Sequence, residues 1–302
     1  MGNRSMAQSW ASLFRIGNSL TGIFGVFLGA ALAKEALPAG FHAQITVLQA
    51  FSVLTFMCSW NALNDYLDIE IDRLNRPNRP LPSGEISTQS AKMAILSMFL
   101  LSISSMIVAG IIANKTDSGI NDWLPSVVIW LFALALLINY ESPSSIGFGL
   151  KDRGLPGNIA ISLSVAMVIL FGSAGIYEPL NPRAWTVAII GFLYNLSREI
   201  LKDVEDMEGD RGRQTLAMRI GPENARMSAW VILLVTLASM LFPFAFGVFE
   251  ESTVIFIIPA VIILLMTKPK ILSAEDFAAQ MLIKRSMQLC LFSFLAISIL
   301  PN

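Results

Sequence analysis

Residues 61–85 read NALNDYLDIEIDRLNRPNRPLPSGE. Asp65, Asp68, Glu70 and Asp72 stand directly behind an apolar run, and Arg73, Arg76 and Arg79 follow them. The surrounding chain has 302 residues, 54% of them hydrophobic and 14% charged, against about 25% charged in a soluble domain. Its mean hydropathy is +0.63. Such a composition belongs to an integral membrane protein, so a tight group of acids at the end of an apolar run needs a physical reason.

Outward from this stretch, apolar segments long enough to cross a bilayer, roughly 17 to 25 residues each, recur along the whole sequence. They fall at 12–33, 43–63, 89–113, 123–140, 157–177, 183–200, 225–248, 253–268 and 281–300. Two are short or broken: 183–200 ends in charge, and 253–268 contains Pro259. The fold class expected is therefore all-α, an integral membrane bundle of about nine transmembrane helices in a single domain over residues 1–302. Arg4 and Arg15 before a run that ends in Ala31-Leu32-Ala33 resemble a cleaved leader, but the run is long for one and reads as a retained first helix.

With the N-terminus in the cytoplasm and the connections assigned alternately, only Lys34, Lys115 and Arg183, of 21 Lys and Arg in all, fall outside. That bias supports the helix count and the orientation together. The expected location is the cell membrane, multi-pass, with the acidic stretch toward the cytoplasm. A net charge of −1 and no long basic run argue against a nucleic-acid partner. Cys58 and Cys290 sit in apolar runs and read as small buried hydrophobes. His42, read as lying in a short connection, has no neighbouring Cys or second His with which to hold a metal.

The acidic stretch has an echo. Asp65, Asp68, Asp72 and Arg73 follow the pattern D-x-x-D-x-x-x-D-R, and so do Asp203, Asp206, Asp210 and Arg211. Spacings of three, four and seven place each set on one helical face. The first set ends the second helix and the other ends the sixth. An even number of crossings separates them, so both lie at one membrane surface, as in a parallel internal repeat. One such motif alone is as well read as a solvated helix end. Two with equal spacing at one surface are not, and acids at a helix C-terminus also oppose the macrodipole unless a cation compensates. Mg²⁺, which accepts one or two carboxylates and fills its shell with water and phosphate, is the natural counterion; no Cys or His cluster offers a softer site. Asn64, four before Asp68, shares the first face and serves to join the metal shell or to orient a carboxylate. In the second set Arg198 and Lys202 share a face with Asp206 and Asp210. Ion pairing along the helix explains that row only weakly; a phosphate clamp explains it better.

These motifs resemble the paired signatures of the UbiA-type membrane prenyltransferases. Asn64, Asp68 and Asp72, followed by RPNRPLPSGEIS, match the first; Lys202, Asp206 and Asp210, followed by Gln214-Thr215-Leu216, match the second. Arg15 and Asn18 fit the family's first-helix R-x-x-N, with Ile16-Gly17 where a proline is usual. Lys151, Arg153 and Asn158 fit its basic central loop and the start of its fifth helix. Ala217 and Glu141 depart from it, standing where Pro and Tyr are frequent. The resemblance implies Mg²⁺ on Asp65, Asp68, Asp72, Asp206 and Asp210, binding the diphosphate of a prenyl donor. Lys202, Lys151 and Arg153 would share its charge, and Arg15, Asn18, Asn64, Asn158 and Arg198 would complete the substrate site. Either Asp65 or Asp203 would take a proton from the acceptor. REILKDVEDMEGD and LKDRGLPGNIAISL are most like the archaeal members that add a geranylgeranyl chain to a lipid acceptor, geranylgeranylglyceryl phosphate, in ether-lipid synthesis. An aromatic acceptor, cyclisation of the allylic cation, and, in another class, cation transport are the alternatives. Two features weigh against transport: the parallel repeat and a site at the surface rather than the midplane. Gly22, Gly25 and Gly29 form a small-residue stripe on the first helix, read as close helix packing.

Overall fold

A computed structural model describes residues 4–116, 119–142, 147–207 and 214–300, and among them the only regular structure is helical. Asp210 and Arg211 lie outside the described residues. The helices are α1 (Met6–Leu13), α2 (Ile16–Lys34), α3 (Gly40–Leu67), α4 (Ile69–Asn75), α5 (Thr88–Ala113), α6 (Gly119–Glu141), α7 (Leu155–Gly175), α8 (Pro182–Glu205), α9 (Leu216–Ile220), α10 (Pro222–Ala245), α11 (Ile258–Leu265), α12 (Thr267–Leu272) and α13 (Asp276–Ile299). The broken segment expected around Pro259 is a 3₁₀ turn, Glu251–Ile257, that passes into α11 and α12. Pro259 sits in the first turn of α11, where its missing N–H costs nothing.

Eight of the nine expected crossings are helical segments long and apolar enough to span a membrane. The ninth, α8, is long enough but carries Arg198, Glu199, Lys202, Asp203 and Glu205 in its C-terminal half. Its buried polar groups Tyr194, Asn195 and Ser197 are held by protein. Tyr194 is fully buried and its hydroxyl lies 2.7 Å from Ser286 Oγ on α13. Asn195 donates to Ser162 on α7, and Ser197 to the Ala229 carbonyl on α10. A helix enclosed by three others has less need of apolar composition than one that faces lipid. His42, expected in a connection, lies instead in the first turn of α3.

The chain forms two compact units, Met1–Phe27 with Ala39–Leu124, and Leu28–Pro38 with Pro125–Asn302. In the first, α3 packs along α5. Ser52 and Ser102 hydroxyls pair at 2.8 Å, and Ser59 and Ser105 donate to carbonyls of the facing helix, Ile95 and Leu48. Such interhelical hydrogen bonds join helices that gain nothing hydrophobic from meeting in lipid. Gly22 belongs here: a Cβ on it would lie 2.5 Å from Met57 Sδ and 2.7 Å from Val53 Cγ1. In the second unit, α8 packs on α7, α10 and α13. A Cβ on Gly29 would collide with the Ile169 carbonyl of α7. At these two positions the glycine stripe is the close packing expected of it.

Candidate active site

At 28 residues and about 1.5 Å per residue, α3 outruns the roughly 30 Å of a hydrocarbon core. Its last turn therefore carries Asn64 and Asp65 to the membrane edge. Asp68 closes the helix, with φ −89° and ψ 9°, and α4 follows at once. The break keeps register: Asp68 N–H donates to the Asn64 carbonyl, Asp72 N–H to Asp68, and Arg76 N–H to Asp72. Asn64, Asp68 and Asp72 thus remain one row, as their spacing requires.

Asp65 and Asp72 are 3% and 4% exposed, and a buried carboxylate must be compensated. Arg79 does this for both. Its Nη1 lies 3.1 Å from Asp65 Oδ1 and 2.5 Å from Asp72 Oδ2. Arg15 Nη2 lies 2.5 Å from Asp65 Oδ1 and donates to Asn64 Oδ1 at 3.3 Å. Arg15 stands between α1 and α2 with φ 45°, a backbone region that a non-glycine residue adopts only when its surroundings hold it there. Asn18 lies on the exposed first turn of α2, its N–H bonded to the Arg15 carbonyl. Arg79 was not among the sequence candidates. The loop that carries it is fixed by Leu81 and Ile86, which pack with Leu13, Ala62 and Ala91. Ser83 N–H donates to the Arg79 carbonyl, and Arg4 to the Asn78 carbonyl.

The second motif is built alike. Asp206 closes α8 with φ −84° and ψ 0°, its N–H bonded to the Lys202 carbonyl. These are the same capping geometry and the same four-residue bond as at Asp68. Asp203, three before the cap as Asp65 is, accepts from Asn158 Nδ2 at 2.9 Å. Asn158 lies in the first turn of α7 and is 8% exposed. In each unit, then, the aspartate three before the cap is held by a donor from the start of the preceding long helix. Arg198 and Lys202 both pair with Glu199, at 2.9 and 3.4 Å. Glu205 accepts from Gln280 on α13. Lys151, in a single 3₁₀ turn, pairs with Glu141 at 3.0 Å. Glu141 stands where the family often has Tyr, so the departure has a partner. Arg153 is exposed just beyond that turn.

Do these residues fit a divalent cation? In the first motif two carboxylate oxygens already converge on one positive nitrogen, Arg79 Nη1. The donors are anionic oxygens, as Mg²⁺ requires. Among the described residues no three Asp, Glu, His or Cys side chains group closely enough to hold a metal alone. A cation here would complete its shell with water and substrate phosphate, which is the ordinary habit of Mg²⁺. The residues fit.

Residues 22–283 match the model of the UbiA prenyltransferase family. The chain belongs to that family. The digeranylgeranylglyceryl phosphate synthase of Methanopyrus kandleri is 31% identical, over 96% of this chain and 98% of the relative. That of Pyrococcus furiosus is 33% identical, over 92% of each. Among solved structures, one concerning digeranylgeranylglyceryl phosphate synthase in membranes superposes with a TM-score of 0.73 at 23% identity, covering 97% of this chain and 99% of the other. A UbiA homolog from Archaeoglobus fulgidus bound to GPP and Mg²⁺ superposes with a TM-score of 0.63 at 17% identity, covering 96% and 99%. These likenesses establish the all-helical fold, and membership of the UbiA family makes the chain a multi-pass membrane prenyltransferase.

Proposed function

We propose that this UbiA-family enzyme transfers a geranylgeranyl group from its diphosphate to a lipid acceptor, geranylgeranylglyceryl phosphate, in a Mg²⁺-dependent step of ether-lipid synthesis. The site faces the cytoplasmic side of the cell membrane, as the placement of Lys and Arg implies. The observation that carries the reading is the matched pair of helix ends, Asp68 on α3 and Asp206 on α8. The nature of the substrate is supported by nearly full-length relatives named digeranylgeranylglyceryl phosphate synthase.

Asp65, Asp68 and Asp72, with Asp206 and Asp210, would hold Mg²⁺; without it Asp65 is held by Arg15 and Arg79. Bound Mg²⁺ supplies charge neutralisation to the leaving pyrophosphate. Lys202, Arg198, Lys151 and Arg153 carry the rest of the phosphate charge; Lys202 and Arg198 exchange Glu199, and Lys151 exchanges Glu141, for the substrate. Arg15, Asn18 and Asn64 line the donor side. Asn158 fixes the Asp203 carboxylate. The C–O bond of the donor breaks, the allylic carbon is captured by the acceptor hydroxyl, and Asp203 or Asp65 takes the hydroxyl proton.

The test is the purified protein with geranylgeranyl diphosphate, Mg²⁺ and geranylgeranylglyceryl phosphate. Pyrophosphate release that requires the acceptor is the expected result. Release without it, with a hydrocarbon product, would make the protein a cyclase. No release, together with ion flux in liposomes, would make it a transporter. Asp68→Ala and Asp206→Ala should each abolish release; an active Asp206→Ala protein would remove the second motif from the chemistry.

A further inference from the structure

Three arginines follow the first acid motif, and they face different ways. Arg73 pairs with Glu70 on the exposed side of α4, and Arg76 is exposed. Arg79 alone of the three reaches the buried carboxylates, and it is the cation that the described residues supply to Asp72. Its guanidinium is a planar, delocalised cation. It sits where two anionic oxygens converge, which is where a divalent ion would be drawn. Backbone hydrogen bonds and the packing of Leu81 fix the Arg79 main chain. Its side chain is 23% exposed and reaches solvent.

We propose that Arg79 is a resident counterion whose displacement couples metal binding to donor binding. Without metal, Arg79 holds Asp65 and Asp72 together and compensates their burial. Mg²⁺ takes Asp72 only by releasing Arg79, and the released guanidinium finds its next partner in the donor's diphosphate. Metal alone therefore binds weakly, and metal with diphosphate binds well, because each removes the cost the other meets. Arg79 thus acts first on Asp72 and then on the diphosphate itself. This inference rests on the Mg²⁺-dependent reading above.

The test is direct binding of Mn²⁺, as a paramagnetic probe for Mg²⁺, to the purified full-length protein. It is followed with and without inorganic pyrophosphate, in wild type, Arg79→Met and Arg79→Lys. Arg79→Met should bind Mn²⁺ alone about tenfold more tightly than wild type, and the gain in affinity on adding pyrophosphate should shrink by a similar factor. The metal-free variant should melt at a lower temperature than wild type, and Mn²⁺ should raise its melting point more. Arg79→Lys keeps a charge on a shorter side chain that presents a single, more strongly hydrated ammonium, so it should fall between the two. It also serves if Arg79→Met does not fold. Mn²⁺ affinity in either variant equal to or weaker than wild type, with the coupling to pyrophosphate intact, overturns the proposal. A wild-type protein that binds Mn²⁺ in neither condition and releases no pyrophosphate from the donor overturns the Mg²⁺-dependent reading itself.

Discussion

Asp65 and Asp203 hold the same place in their motifs, and packing gives each a donor from far along the chain. Arg15 reaches Asp65, and the amide of Asn158 reaches Asp203. The spacing of the acids was legible in the sequence, since a period of three and four is a local property of one helix. Their partners were not, because Arg15 and Asn158 lie about fifty residues away along the chain. Only packing brings them close. Arg79 is the instructive case. It stands seven after Asp72 within a Pro-rich loop, where no helical spacing ties it to the acids. The order in that loop comes from Leu81 and Ile86, two apolar residues buried under α1. At this scale Asn158 offers a clean prediction. A hydrogen bond to a charged group contributes about 1.5–3 kcal/mol, so Asn158→Ala should lower kcat/KM by roughly tenfold to a hundredfold. Asn158→Asp should lower it further, since it sets a second carboxylate where the donor stood, 2.9 Å from Asp203. Wild-type rates in both variants would detach Asp203 from the site.

Helix by helix, the apolar periodicity marked the spans well, because lipid imposes composition directly. It was least reliable for α8, whose surroundings are protein. Seen from the sequence, that segment is short and ends in charge. In the structure it is a helix of 24 residues whose buried polar groups are met by α7, α10 and α13. The glycine stripe on α2 divides between two kinds of neighbour. At Gly22 an added methyl meets the flexible end of Met57 and a Val53 methyl. At Gly29 it meets the Ile169 backbone carbonyl, which cannot turn aside. Gly→Ala in a helix gains about 1 kcal/mol of propensity, and overpacking costs about 1–3 kcal/mol. Gly22→Ala should therefore be close to neutral in thermal unfolding in detergent. Gly29→Ala should lower the melting temperature clearly. Equal effects at the two positions would show that α2 does not meet the α7 backbone there.

For the whole molecule, the repeat makes a statement about sides that each unit supports separately. If the acid motifs share the cytoplasmic surface, the loop after the first motif and the connection between α12 and α13 must face the cytoplasm. The connections after α5 and after α7 must then face outward. Single cysteines at Ser83 and Asn114 in one unit, and at Ser273 and Leu180 in the other, probe all four, since each position is exposed. The native thiols leave the experiment quiet: Cys58 is 4% exposed and Cys290 is fully buried. A membrane-impermeant maleimide added to intact cells should label positions 114 and 180 and spare 83 and 273. Opening the membrane should make all four react. The Lys and Arg bias favours this arrangement because each cationic loop resists transfer across the bilayer, and an odd number of crossings between the motifs would place them on opposite faces. Labelling of position 83 and position 273 from different sides would then leave Asp68 and Asp206 unable to serve one diphosphate, whatever the likeness of their helix ends.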